Sequence, residues 1–162
     1  TLVAALPFGQ VPVLYVDGHP LPQSHAIARY LAQQFGFAGN SPFEAAWVDA
    51  LADQHKDYLF EMQPFFMLHY GYGKGDLDQM RKELAEPATH KFFSLLEKRA
   101  KENDSNGHLV GHSLTWIDLL VSDHMETIEH LVPDSLTPFP LVKAVRDKTV
   151  SEPKLKEWFD KR

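Results

Sequence analysis

The sequence predicts an α+β protein in two parts, a short ββα unit followed by an all-helical domain. Three observations predict it. Residues 11–16, VPVLYV, are β-branched and aromatic, and the Asp17-Gly18 pair behind them suits a two-residue hairpin turn. From Ser24 onward the apolar residues recur at helical rather than strand spacing. Beyond residue 43 no convincing strand returns. The stretch GFAGNSPF (36–43) reads as a linker. The first domain is therefore assigned to residues 1–38 and the second to residues 39–162.

His19-Pro20-Leu21-Pro22 forms the second strand, and its prolines place it at an edge or cut it short. Pro12, inside the first strand run, reads as an edge proline or a cis turn. Ser24 is a candidate N-cap of the first helix, in which Ile27, Ala28, Leu31 and Phe35 share one face; Gly36 and Gly39 end it.

Residues 43–70 predict a long helix, with Pro64 a kink, and Tyr70 to Gly75 a loop. Residues 77–102 predict another, with Leu84, Phe92, Leu95 and Leu96 inward and a bend at Pro87. Three shorter helices follow near 115–131, 138–151 and 153–160. The first of these has a well-formed start. Thr115 is its N-cap, Asp118 sits at the capping-box position, and Leu114 with Leu119 makes a hydrophobic staple. This is a folding signal, and the apolar run around it suits a central core helix.

Composition narrows the function. Apolar residues make up 44% and charged residues 23%, a soluble globular balance. A formal net charge of −6 and the lack of a Lys/Arg cluster argue against a nucleic-acid surface. There is no cysteine, hence no disulfide, thiolate metal site or cysteine nucleophile. No apolar run approaches the ~20 residues that span a bilayer. Thr1–Leu6 is too short, and too poor in basic residues, to read as a signal peptide. These features predict a cytoplasmic protein without membrane partners.

The segments PFGQVPVL, VDG, LPQSHAIARYLA, VDALADQHKD and LVGHSLTWIDLL, in this order, resemble a glutathione S-transferase. The spelling FGQVPVLYVDG and an acidic stripe resemble the sigma class, in particular its nematode and other invertebrate members. The resemblance covers essentially the whole chain. It implies a partial thioredoxin-like N-terminal domain (ββα) and an all-α C-terminal helical bundle of the glutathione S-transferase fold. It also implies a preceding βαβ unit that carries a catalytic tyrosine. No residue here matches that tyrosine, and neither Tyr15 nor Tyr30 takes its role, so no catalytic residue is assigned.

The resemblance implies glutathione as co-substrate and a set of residues for it. Gln23 and Ser24 would hold the γ-glutamyl end, Ser24 at the positive end of a helix. The bond before Pro12 would be cis and would turn the Val11 backbone toward the cysteinyl unit, like a short added strand. Gln10 would meet the glycyl end, where Val3 marks a region without the family's lysine. Asp57 would reach across a two-fold homodimer to the ammonium of the partner's glutathione, assisted by Asp53. Asp49, Asp53 and Asp57 are spaced four apart and so form one helical stripe. Lys56 breaks that cluster, and no metal is predicted.

Leu59, Met62 and Phe66 would line the electrophile pocket. The histidines at 55, 69, 90, 108, 112, 124 and 130 have no metal-site spacing and read as surface or interface residues. The activity implied is conjugation of glutathione to small hydrophobic electrophiles in detoxification, with peroxidase or prostaglandin isomerisation as further capacities. A non-catalytic module of this fold, or a carrier of haem and other hydrophobic ligands, is the alternative.

Overall fold

The computed structural model describes residues 6–159 and Lys161. Val3 and the other residues of the opening segment up to residue 5 lie outside them, as does Asp160 of the predicted last helix.

Strand β1 (Val13–Val16) pairs antiparallel with β2 (His19–Pro22), Val13 opposite Pro22 and Val16 opposite His19. Asp17 and Gly18 both take positive φ, 49° and 82°, the backbone of the two-residue turn that matches strand twist. The strand starts at Val13 rather than Val11, because Pro12 has no N–H for a ladder.

Helix α1 (Ser24–Phe35) ends at Gly36, whose φ of 79° permits a left-handed cap that bonds back to the Ala32 carbonyl. Gln23, not Ser24, takes the N-cap position; Ser24 is the first helical residue. Helix α2 (Pro42–His69) starts on Ser41, whose hydroxyl accepts the Glu44 N–H at 3.1 Å, with proline in the first turn. It runs on through Pro64, which is solvent-exposed.

The predicted 77–102 helix is three pieces. A turn, α3 (Leu77–Met80), leads into a π-helical segment at Arg81–Ala85 and then α4 (Glu86–Glu102). The Glu86 N–H reaches back five residues to the Arg81 carbonyl. This widened turn stands where Pro87 lacks a donor and would crowd the carbonyl four residues before it. The predicted bend is thus a π-turn. Helices α5 (Trp116–Leu131), α6 (Pro140–Ser151) and α7 (Pro153–Phe159) complete the chain.

The core lies in the helical domain. Val48, Tyr58, Met62 and Phe65 of α2 join Phe92, Phe93 and Leu96 of α4, Ile117, Val121 and Met125 of α5, and Val142 and Val145 of α6. The Tyr58 ring stacks on Phe92 at 4.6 Å between centroids, nearly parallel. Leu95, expected inward, is 42% exposed, because its neighbour Leu96 takes the core-facing position on α4.

Three connections tie the ββα unit to the helical domain. Ala32 of α1 is buried in the core cluster. The Trp116 N–H donates to the Phe37 carbonyl at 2.9 Å. Arg29 of α1 meets Asp49 of α2 at 2.8 Å. That pair is about one-third exposed, so its own contribution is below about 1 kcal/mol.

Candidate functional site

The start of α1 and the loop before β1 make one small concavity. Gln10, Val11 and Pro12 face Pro22, Gln23 and Ser24 across it, with Phe8 at its wall. Five of the six residues assigned to glutathione from the sequence therefore come together. The Val11–Pro12 peptide bond is cis, as expected. Val11 is 77% exposed at the edge of this concavity.

Two local features give it chemistry. Gln23 sits at φ 76°, ψ 116°, outside the regions ordinary residues populate. Such a conformation costs on the order of 1–3 kcal/mol and is kept where the surrounding structure demands it. The first N–H donors of α1, from Ser24 on, have no intrahelical acceptor, and they present partial positive charge to the concavity. The site is neutral in its side chains, so an anionic group would be held by backbone N–H and hydroxyl donors. Phe8 and Pro22 were not foreseen as lining residues, although Phe8 belongs to the same PFGQVP segment as Gln10.

The sixth residue, Asp57, stands apart. It is exposed on α2 and has no contact with the concavity within this chain. The acidic stripe is also less uniform than its spacing suggests. Asp49 is paired with Arg29, and Asp53 lies close enough to His25 to favour its charged form. No cluster of three metal-ligating side chains occurs among the described residues.

The expected pocket residues divide. Leu59 and Phe66 are half-buried at the margin of the core. Met62 is fully buried and is a core side chain rather than a lining one, because the α2 face it occupies packs on α4 and α5. A separate apolar groove of about 360 Å³ lies between α1 and α5, walled by Leu31, Phe35, Phe37, Trp116, Leu119 and Leu120. Leu31 and Phe35, placed on one face of α1 by their spacing, are exposed there.

The histidines are not all superficial. His55 and His108 are buried. His25, His55 and His124, from α1, α2 and α5, form a chain of rings, 6.2 Å and 4.9 Å between successive centroids. Burial lowers the pKa of His55 to about 3, helped by its two histidine neighbours, and that of His124 to about 4. Burial, with Lys56 next, lowers that of His25 as well, against the pull of Asp53.

At the start of α5 the capping box forms as expected. The fully buried Asp118 carboxylate accepts from the Thr115 N–H at 2.9 Å and its hydroxyl at 3.0 Å, and from the Leu109 N–H at 2.9 Å. It thereby also fixes the loop that precedes the helix, a role beyond the cap.

The chain is thus a hairpin-and-helix unit, with the first N–H donors of α1 facing a small concavity, joined to a helical bundle. Comparison with known proteins gives the family. Residues 61–162 match the family described as "Glutathione S-transferase, C-terminal domain", and residues 1–33 match "Glutathione S-transferase, N-terminal domain". The chain belongs to the glutathione S-transferase family, whose co-substrate is glutathione.

Among its relatives are the Caenorhabditis elegans "Probable glutathione S-transferase 9", 46% identical over 96% of this chain and 75% of that protein, and glutathione S-transferase 1 of Ascaris suum, 42% identical with the same coverage. The chain thus spans about three quarters of their length. A glutathione S-transferase of the hookworm Necator americanus, solved as a monomer, superposes with a TM-score of 0.94 at 43% identity, over 99% of this chain and 78% of that one. Prostaglandin synthase D of Nilaparvata lugens superposes at 0.82 with 31% identity, again over 99% and 78%. Among the described residues no helix is long and apolar enough to cross a membrane.

Proposed function

We propose that this chain binds glutathione at the Gln10–Pro12/Gln23–Ser24 concavity and serves its conjugation to small hydrophobic electrophiles. The observation that carries the reading is the convergence of these residues on the N-terminus of α1. The γ-glutamyl carboxylate accepts from the Ser24 hydroxyl and the first N–H donors of α1, where the helix dipole favours an anion. The Gln23 amide supplies further donors. The exposed Val11 backbone pairs with the cysteinyl peptide as an added strand would, and Gln10 meets the glycyl end.

In the reaction the cysteinyl sulfur, as thiolate, forms a bond to an electrophilic carbon. The leaving group departs with the electron pair of its own bond, and the thiol proton goes to solvent. These residues supply orientation, which converts a bimolecular encounter into a near-attack geometry. No residue of this chain is assigned the activation of the thiol. Leu59 and Phe66 bound the electrophile.

In a sigma-class two-fold homodimer, Asp57 of each protomer serves the ammonium of the partner's glutathione. Its exposed position on α2, with Phe60 also exposed on that helix, fits such an interface. A cytoplasmic detoxification role accords with the cysteine-free composition. Prostaglandin isomerisation is a second substrate reading, favoured by the likeness to the Nilaparvata lugens prostaglandin synthase.

Titration with glutathione by calorimetry, beside turnover of 1-chloro-2,4-dinitrobenzene, tests the proposal. Binding that survives Gln23→Ala/Ser24→Ala unchanged removes the assignment. Binding without turnover supports the site but not the conjugation.

A further inference from the structure

The donors assigned to glutathione sit in the first turn of α1, and something must hold that turn in place. Arg29, Ala32 and the Phe37 carbonyl anchor the middle of α1 and the segment after it to the helical domain. His25 anchors the first turn. It is the second residue of α1, directly after Ser24. Its ring stands edge-on to Trp116, at the start of α5, with 5.9 Å between centroids, and lies 6.2 Å from the ring of His55 on α2. His55 in turn packs on His124 of α5 at 4.9 Å and on Phe92 of α4 at 5.7 Å. A row of rings therefore runs from the bundle core to the residue beside Ser24.

Two observations connect this row with the site. The first is its chemistry. His25 Nδ1, both His55 nitrogens and His124 Nε2 are buried and have no hydrogen-bond partner among the described residues. Buried polar atoms of this kind are uncommon and cost stability, so three such rings at one junction call for a use other than stability. They meet as flat, neutral surfaces; burial first, and Lys56 second, favours the neutral form of His25. The second is Gln23, held at φ 76°, ψ 116°. A conformation of this kind persists only where its surroundings fix it. Gln23 and His25 bracket Ser24, one through its backbone and the other through its ring.

We propose that His25 is a positioning residue for glutathione: by resting its ring on Trp116 and His55 it fixes the first turn of α1, and with it the Ser24 hydroxyl and the open N–H donors, at the concavity. The inference rests on the glutathione site proposed above. His25 does not line the concavity, so it acts through the helix and not by touching the ligand. The contribution is one of aim. Hydrogen bonds to a carboxylate weaken steeply when their donors tilt, and a small shift of the turn tilts all of them together.

Calorimetric titration with glutathione at pH 7, beside urea denaturation, tests the proposal in four proteins: the wild type, His25→Ala, His25→Phe and Gln23→Ala/Ser24→Ala. His25→Ala is expected to weaken binding about fivefold, although the residue makes no contact with the ligand. His25→Phe keeps a flat ring against Trp116 and His55 and restores affinity to within about twofold of wild type. His25→Gln keeps bulk without the ring, weakens binding as His25→Ala does, and replaces that variant if it does not fold. A merely structural His25 would lower the urea midpoint on substitution and leave affinity untouched. Wild-type affinity in His25→Ala or His25→Gln, with weakened binding in the double variant, overturns this inference and leaves the site standing. Failure of His25→Phe to restore affinity also overturns it. Absence of binding by the wild type, or unchanged binding in the double variant, overturns the site and this inference with it.

Discussion

His55 and His124 meet edge to face, 4.9 Å between ring centroids and 77° between planes, on helices α2 and α5 of the packed bundle. Neither His55 nitrogen, nor Nε2 of His124, has a hydrogen-bond partner among the described residues. Around them stand Tyr58 of α2, Phe92 of α4 and His25 of α1, and through His25 the charged groups Asp53, Lys56 and Arg29; Asp123 lies near His124.

This cluster predicts acid sensitivity, and its sign follows from linkage. Both rings have folded-state pKa values, about 3 and about 4, below the unfolded value of 6.5. Above pH 6.5 they are neutral in both states and contribute no pH dependence. Below it the unfolded chain takes up protons that the folded chain refuses, so stability falls as pH drops from 6.5 toward 4. At about 1.4 kcal/mol per unit, each ring removes on the order of 2 kcal/mol by pH 5. Urea midpoints at pH 7.5 and 5 are expected to differ, and the difference to shrink in His55→Leu. Equal midpoints in the wild-type protein would contradict the burial of these rings.

Asp118 predicts a larger loss than an ordinary cap. Asp118→Ala strands the Thr115 N–H and hydroxyl and the Leu109 N–H, all at buried residues. At about 1–3 kcal/mol for each unsatisfied buried group, the loss should exceed 3 kcal/mol. Thr115→Ala should cost roughly 0.5–2 kcal/mol. Equilibrium denaturation of the two variants measures the gap, and equal losses would mean that Asp118 acts only on the helix start.

Met62 and Phe66 are expected to part company. Met62→Ala opens a cavity in the core and should cost about 2–5 kcal/mol of stability. Phe66→Ala, at the margin, should cost less and raise the KM for the electrophile. Steady-state kinetics at saturating glutathione, beside thermal melts, separates the two roles; a Met62 variant with a changed KM and an unchanged melt would return that residue to the pocket.

Much of this was legible in the chain. The Asp17-Gly18 turn, the Gly36 stop and the Thr115/Asp118 start are local chemistry, and local chemistry is written in neighbouring residues. The concavity was legible through the family resemblance, which singled out Gln10 to Pro12 and Gln23 to Ser24; the two groups flank a single hairpin, and its pairing brings them together. The histidine cluster was not, since positions 25, 55 and 124 meet only through the packing of three helices. The phase of α2 was ambiguous, with Phe60 exposed and Phe65 buried on an apolar-rich helix, so Met62 could not be told from a lining residue. The π-turn at Arg81–Ala85 adds a residue to the helical count, and it breaks the continuous 77–102 helix that the sequence suggested.

The central claim is that the α1 N-terminus holds glutathione. Calorimetric titration of the wild-type chain and of Gln23→Ala/Ser24→Ala tests it most directly. The account predicts saturable binding that weakens by roughly tenfold or more in the double variant, as expected for the loss of hydrogen bonds to a charged carboxylate, with the urea midpoint nearly unchanged. Equal affinity in the two proteins, or no binding by the wild type, would contradict it.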